Sequence, residues 1–180
     1  MQKIFFIEDK NFLSSVSKNF IEQTILGNNF PFFFHKNAVG KDTNSFMCHV
    51  VLKRKEDREN KNDINSPFYS NFIDILNEFT NKHNINYKEV LRIAVNFSYN
   101  NNSKSSPIHL DHDYPHKQLL IYLNKVKDLN SRTIIYNKFK NKILKDIKPD
   151  QYKGICFNSL PHSTYFPTKG ERFVVVYTFK

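Results

Sequence analysis

The chain has 180 residues, of which 39% are hydrophobic and 15% aromatic, enough for one folded domain over 1–180 and too many for a disordered polymer. No apolar run approaches the roughly 18 residues of a transmembrane helix, and Glu8 and Asp9 follow the start too soon for a signal peptide. We therefore expect neither secretion nor a membrane partner. The two cysteines, Cys48 and Cys156, form no CxxC pair and fit small core positions in a cytoplasmic protein.

The charge balance is basic, with 27 Lys plus Arg against 17 Asp plus Glu and a net charge of +10. One interpretation is a nucleic-acid binder held by phosphate neutralisation. The other is composition bias, because Asn, Lys, Ile and Phe are abundant while there are only 4 Gly and no Trp. The positive charges are spread along the chain, with the densest cluster at Lys53-Arg54-Lys55. We favour composition bias, and an anionic partner stays open.

The first half of the chain, 1–86, mixes helix and strand patterns. In chain order, the predicted elements are a strand over Lys3–Ile7, a helix over Asn11–Leu26 ended by Gly27, strands over Phe30–His35 and Phe46–Leu52, a mobile polar loop over Lys53–Ser66, and a second helix opened by Ser66-Pro67. The aromatic run Phe32–Phe34 would suit base stacking, but a core strand is the simpler interpretation. We expect this half to brace the rest of the fold and to shape a substrate entrance.

The second half, 87–180, consists of short β-rich runs separated by turns. The predicted strands are Val90–Tyr99, Pro107–Asp111, Gln118–Leu123, Arg132–Tyr136, Lys142–Ile147, Gly154–Asn158, His162–Phe166 and Arg172–Phe179. Strands at near-even spacing after two helices predict a mainly β sandwich or jelly roll, with the helices packed on one sheet.

Three features of this half carry chemistry. Alternation along a strand would place His109 and Asp111 on one face, where both could meet one metal ion. His162 follows an apolar strand, and Arg172 opens the last one. Taken singly, each has a plain alternative, namely a solvated or core histidine, or an arginine that reaches solvent from a strand end.

Taken together, two histidines and one carboxylate form the 2-His-1-carboxylate set typical of non-haem Fe(II) oxygenases. An inward guanidinium at Arg172 would need an anion, and its planar fork matches a carboxylate. The open metal positions could take a 2-oxo acid and O₂, while the arginine anchors the far carboxylate of that acid.

In these residues the chain resembles the Fe(II)/2-oxoglutarate-dependent dioxygenases, in particular the prolyl-hydroxylase-like branch and its small viral relatives. The resemblance covers about 91–179. It rests on HLD at 109–111, YLN at 122–124, the pair His162 and Arg172, and the closing run VVVYTF at 174–179.

The resemblance implies a double-stranded β-helix core, a cupin-like jelly roll, and a set of site residues. His109, Asp111 and His162 would bind Fe(II), and Arg172 would bind the 5-carboxylate of 2-oxoglutarate. Tyr122 would donate a hydrogen bond to the same carboxylate, and Tyr99 would reach the metal-side end of the cofactor. Because Val174 stands where many relatives have Ser or Thr, a second hydroxyl contact would come from elsewhere, with Thr178 as the candidate.

The implied activity is hydroxylation of a substrate C–H bond, with 2-oxoglutarate and O₂ converted to succinate and CO₂. A peptide substrate of prolyl type follows from the branch, and a nucleic acid or a small molecule stays open. The alternative class is a non-catalytic basic jelly-roll module that binds an anionic partner. A cupin-like protein with another metal and no 2-oxoglutarate would leave Arg172 without an anion.

His112 and His116 offer a competing site, since they lie four residues apart beside His109. On a helix both could face one zinc ion, but Pro115 and the flanking strands argue against a helix there. We expect His112 and Asp113 to line the mouth of the iron site instead.

Overall fold

The computed structural model describes residues 5–37, 45–58, 63–100, 102–128 and 130–180. Ten strands, two helices and a short 3₁₀ turn lie within these ranges. The strands are β1 Phe6–Asp9, β2 Phe33–His35, β3 Phe46–Leu52, β4 Val90–Tyr99, β5 Lys117–Tyr122, β6 Thr133–Tyr136, β7 Ile143–Ile147, β8 Gly154–Asn158, β9 His162–Thr164 and β10 Glu171–Phe179. Helix α1 spans Ser15–Phe20 and continues as a π-helical turn over Ile21–Ile25, and α2 spans Tyr69–Lys82.

The strands form two antiparallel sheets. The major sheet has the order β1-β8-β5-β10-β4-β3-β2, and the minor sheet has the order β7-β6-β9. Single bridges from Ser105 to Tyr165 and from His109 to His162 extend the minor sheet by one more segment. The mainly β jelly roll that the sequence predicted is confirmed, and 1–86 contributes three strands to the major sheet as well as the helices.

Strand β10 shows why the central strands are apolar on both faces. Val175 and Tyr177 point to the helices, while Val174 and Val176 point to the minor sheet, as the two-residue period of a strand requires. The helix side of the major sheet therefore carries one core, and the space between the sheets carries a second one. The site described below opens from this second space.

Helix α1 begins later than predicted because Ser14 caps it. The Ser14 hydroxyl accepts a hydrogen bond from the Ser17 N–H at 3.1 Å and donates to Glu78 of α2 at 2.6 Å. Ser17 donates to the same Glu78 carboxylate at 2.8 Å. One acidic side chain thus ties the two helices together on the outer face of the sheet.

Other boundaries differ from the predictions in particular places. The predicted strand over Pro107–Asp111 is wrong, because this segment makes only the His109 bridge and is otherwise irregular. Residues 3–4 of the first predicted strand and 59–62 of the predicted mobile loop lie outside the described residues. The described part of that loop contains a 3₁₀ turn over Lys55–Asp57.

Gly154 allows α2 to pack closely on β8. A Cβ atom at this position would lie 2.8 Å from Cε1 of Phe12 and 2.9 Å from Cε2 of Phe79, closer than carbon atoms pack. We expect Gly154→Ala to lower the free energy of unfolding in urea by about 1–3 kcal/mol. The loss should shrink in a Phe79→Leu background, where the ring is gone. Equal losses in both backgrounds would contradict this explanation.

None of the helices within the described ranges is long and apolar enough to cross a membrane. Cys48 and Cys156 are buried and unbridged, as predicted for core positions. Burial raises the pKa of the Cys156 thiol to about 12, so this side chain is not a thiolate at neutral pH.

Candidate metal centre

Three side chains meet at the open end of the space between the sheets. One candidate ligand atom from each of His109, Asp111 and His162 lies within 4.8 Å of the others. The backbones of the two histidines are joined by a pair of hydrogen bonds, His109 N–H to the His162 carbonyl at 3.0 Å and the reverse at 2.9 Å. Nε2 of His162 and Oδ2 of Asp111 are 3.8 Å apart, too far for a hydrogen bond.

Local backbone carbonyls fix the tautomer of both histidines. Nδ1 of His109 lies 2.9 Å from the Pro107 carbonyl, and Nδ1 of His162 lies 3.1 Å from the Leu160 carbonyl. A carbonyl oxygen only accepts, so Nδ1 carries the proton in each ring. Each Nε2 then keeps its lone pair, which is the arrangement that holds a histidine ready as a metal ligand.

The carboxylate of Asp111 is buried, and its two oxygens differ. Oδ1 lies 3.3 Å from Nη2 of Arg54 and 3.6 Å from Nη1 of Arg92, while Oδ2 has no hydrogen-bond partner in the part of the chain that the structure describes. Burial would raise the pKa of Asp111, but the neighbouring His162 and the arginines outweigh it and lower the pKa well below its usual range. Burial lowers the pKa of His162 to about 4.

At neutral pH the cluster therefore presents one ionised carboxylate and a neutral imidazole at His162. Divalent first-row metals require ligands in these protonation states, and three protein ligands leave the remaining coordination positions open. The unpaired Oδ2 of Asp111 is the kind of orphaned buried atom that a metal ion would satisfy. The donor set fits a non-haem Fe(II) site.

A second polar cluster lies deeper in the same space, around Arg172. Its guanidinium is buried, donates from Nη2 to the Thr133 hydroxyl at 2.8 Å, and sits 5.2 Å from the ring centre of Tyr122. Its Nε has no partner, and no carboxylate of the described residues lies within ion-pair distance. Burial lowers the pKa of Arg172, so the protein holds this cation at a cost.

Thr133 completes this cluster, and no sequence pattern predicts it. Its hydroxyl oxygen accepts from Arg172 and from the Tyr122 hydroxyl, each at 2.8 Å. Since both neighbours donate, the Thr133 proton is free to donate to an anion. Thr133 thus places a hydroxyl beside Arg172, the position for which Thr178 was the predicted candidate.

One cavity of about 90 Å³ joins the two clusters. The three metal-ligand candidates line one part of it and Arg172 another. The polar side chains of Asn96 and Ser98 on β4 line one wall of this cavity. A small molecule with two acidic ends could reach both clusters at once.

Two predicted site residues lie elsewhere. Tyr99 packs its ring against Phe97, with 5.8 Å between centroids, on the opposite face of β4 from Ser98, and it does not line the cavity. Thr178 is six residues from Arg172 on β10, so about 20 Å separates them along the strand, and its hydroxyl pairs with Nε2 of His112 at 2.7 Å. Strand alternation turns Tyr99 away from the cavity. The position of Thr178 on β10 puts it too far from Arg172 to contact the same group.

The competing histidine pair forms no metal site among the described residues. His112 is bound at Nε2 by Thr178 and at Nδ1 by Glu56 at 3.1 Å, with His116 at a centroid distance of 4.9 Å. Because its side chain is fully buried, His112 does not line the mouth as predicted, whereas Asp113 is exposed.

Comparison with known proteins shows similarity of structure alone. No protein-family model matches the sequence, and no curated protein matches it. An oxidoreductase of the 2OG-Fe(II) oxygenase family from Burkholderia pseudomallei aligns with a TM-score of 0.75 at 12% identity, over 97% of this chain and 84% of that one.

Two prolyl hydroxylases are also similar. That of Trichoplax adhaerens, solved with a hypoxia inducible factor peptide fragment, has a TM-score of 0.65 at 16% identity, over 97% of this chain and 82% of the other. The viral collagen prolyl hydroxylase of Paramecium bursaria Chlorella virus-1, solved with 2OG, has a TM-score of 0.57 at 15% identity, over 97% and 94%. The chain therefore has the jelly-roll fold of these proteins, as the resemblance implied.

Proposed function

We propose that this protein is an Fe(II)- and 2-oxoglutarate-dependent dioxygenase that hydroxylates a C–H bond. In this proposal, His109, Asp111 and His162 hold the iron. The observation that carries it is the pairing, in one cavity, of this three-ligand cluster with a buried guanidinium at Arg172 that has no acidic partner among the described residues. A metal ion would bind the unpaired oxygen of Asp111, and one end of a dianionic acid would pair with the Arg172 guanidinium.

The deeper cluster supplies the acid site. Arg172 would bind the 5-carboxylate of 2-oxoglutarate through its free Nε and its Nη atoms, and Thr133 would donate its hydroxyl proton to the same group. Tyr122 orients that hydroxyl by donating to its oxygen. Burial raises the pKa of Tyr122, which keeps the phenol protonated as a donor.

When bound, Fe(II), 2-oxoglutarate and O₂ supply the oxidation that yields succinate, CO₂ and the hydroxylated substrate. The chain's own residues bind and orient. The carbonyls of Pro107 and Leu160 accept from Nδ1 of His109 and His162, so that Nε2 of each ring is available to the metal. Asp111 would contribute a negative charge. Val174 and Val176 add an apolar surface to the lining of the cavity.

We further propose a peptide substrate of prolyl type. Support comes from two structural neighbours named as prolyl hydroxylases, one of them solved with a bound peptide fragment. The buried, unbridged cysteines support a reducing compartment such as the cytoplasm.

The test is an anaerobic titration of the metal-free protein with Fe(II) and then 2-oxoglutarate. We expect a visible metal-to-ligand charge-transfer band that saturates at one equivalent of each, because the open coordination positions would accept the 2-oxo acid. His83→Ala is the matched control, since His83 pairs with Asp9 outside the cavity. A folded protein that binds anionic polymers without metal and gives no band would overturn the proposal in favour of a binding module.

A further inference from the structure

Two arginines from different elements converge on the carboxylate of Asp111. Arg54 follows β3, donates to the Asp111 backbone carbonyl, and has Nη2 at 3.3 Å from Oδ1. Arg92 projects from β4 with Nη1 at 3.6 Å from the same oxygen. Two guanidinium groups thus share the Asp111 carboxylate, which is also the carboxylate of the metal centre, and Arg54 has Asp57 and Glu56 nearby as well.

Loading the site would direct the negative charge of Asp111 to the metal and away from these two cations. The formal charges of Fe(II), the Asp111 carboxylate, dianionic 2-oxoglutarate and Arg172 cancel among themselves. Among the described residues, Arg54 then keeps Asp57 and Glu56 nearby, whereas Arg92 has no carboxylate within ion-pair distance other than that of Asp111. Like charges held together in a half-buried site favour the binding of an anion between them.

A second cavity lies where such an anion would enter. It has a volume of about 310 Å³ and shares Phe46, Arg54 and Arg92 with the metal cavity. Lys53 adds a third positive side chain to its lining, and Asp57 is the one carboxylate among the described lining residues. The side chain of Arg54 is 33% exposed and that of Arg92 is 12% exposed, so both are within reach of a ligand from solvent.

We propose that Arg54 and Arg92 form a substrate-side carboxylate subsite, and that the substrate is a peptide with an Asp or Glu close to the residue that is hydroxylated. The inference rests on the proposed function. The planar forks of the two arginines match a carboxylate. A substrate carboxylate would pair with them in place of Asp111 when Asp111 binds the metal. The subsite would place the reacting residue of the peptide beside the open metal positions.

The surroundings favour one carboxylate over a chain of phosphates. Glu56 and Asp57 are exposed beside the second cavity and would repel an extended polyanion. A single acidic side chain can pair with the arginines and stay away from the Glu56 and Asp57 carboxylates. The apolar part of the lining, which includes Phe46 and Val50, suits the remainder of a peptide.

Binding to the Fe(II)- and 2-oxoglutarate-loaded protein under anaerobic conditions tests this subsite. The probes are two capped peptides with a proline flanked by aspartate in one and by asparagine in the other. Calorimetry gives the dissociation constants, and the charge-transfer band reports on the metal centre. We expect the aspartate peptide to bind about tenfold or more tightly, the usual size of a charge-assisted hydrogen bond.

Variants locate the preference. Arg92→Gln and Arg54→Gln should each bring the ratio of the two dissociation constants towards one and keep the band. Arg92→Lys, which keeps the charge but loses the fork, should give an intermediate ratio. Arg132→Gln is the matched control, because it removes one charge from an arginine that pairs with Asp146 outside both cavities. Removing the metal should weaken the preference, because the Asp111 carboxylate is then again free to pair with the arginines.

Each other outcome counts against the subsite. A normal band with equal binding of both peptides overturns it and leaves the dioxygenase proposal standing. Loss of the band in the folded glutamine variants shows that the arginines serve the metal ligand alone. Tighter, Arg92-dependent binding of a 5′-phosphorylated oligonucleotide replaces the peptide with a nucleic acid. A protein that binds no metal contradicts both proposals.

Discussion

Replacing His162 with alanine is expected to abolish the Fe(II)-dependent formation of succinate from 2-oxoglutarate. The variant loses one of three candidate ligands and keeps His109 and Asp111. Changes to residues that merely orient a ligand weaken metal binding or activity by roughly 10–100-fold, so loss of a ligand should cost at least about a hundredfold. Succinate released during uncoupled turnover, measured by mass spectrometry, gives the result directly.

A second readout separates ligand loss from a damaged fold. Fe(II) should raise the melting temperature of the wild-type protein under anaerobic conditions, because a ligand that binds only the folded state stabilises it. His162→Ala should melt normally without metal and show no increase with it. His83→Ala should behave like the wild type in both assays. Unchanged succinate formation by His162→Ala would remove this histidine from the metal centre.

The sequence predicted the elements of the fold well where burial decides the pattern. Strands β3, β4 and β8 have the predicted bounds, because each is apolar on at least one face and is followed by a polar residue. The strand predicted over 107–111 was wrong for the opposite reason. Its residues alternate in polarity, but it lies at the rim of the minor sheet with a single bridge, and its shape follows from the site it carries.

The same contrast holds for the candidate site. His109, Asp111, His162 and Arg172 could be chosen from spacing and residue type, and the structure brings them to one cavity. Thr133 could not, because a threonine at a strand start has no distinguishing pattern. Its role depends on β6 crossing over β5 and β10, which is a relation between distant parts of the chain.

Arg54 and Arg92 were missed for a related reason. The sequence analysis noted the basic cluster 53–55 but assigned the excess charge to composition. Only the fold shows that Arg54 of that cluster and Arg92 of β4 point at one carboxylate. Tyr99 and Thr178 show the reverse error, since a match in spacing does not fix the face or the register of a side chain.

Arg172→Met is expected to weaken 2-oxoglutarate binding by about a hundredfold or more while Fe(II) still binds. Removing one partner of a buried ion pair costs about 3–5 kcal/mol, and 1.4 kcal/mol corresponds to a factor of ten. The charge-transfer band should therefore appear only at much higher 2-oxoglutarate concentrations. Arg132→Met, at a partly exposed arginine outside the cavity, is the control for the loss of one positive charge.

The stability of the metal-free variant decides between a binding role and a structural role for Arg172. In the described structure this buried guanidinium has the Thr133 and Tyr122 hydroxyls beside it, an unpaired Nε and no carboxylate within ion-pair distance. Replacing an uncompensated buried cation by an apolar side chain of similar length should leave the free energy of unfolding unchanged or raise it. A structural arginine would show the opposite, with marked destabilisation in urea and unchanged affinity for 2-oxoglutarate. We expect stability retained and affinity lost, because a protein that keeps an unpaired charge in its interior needs a ligand to balance it.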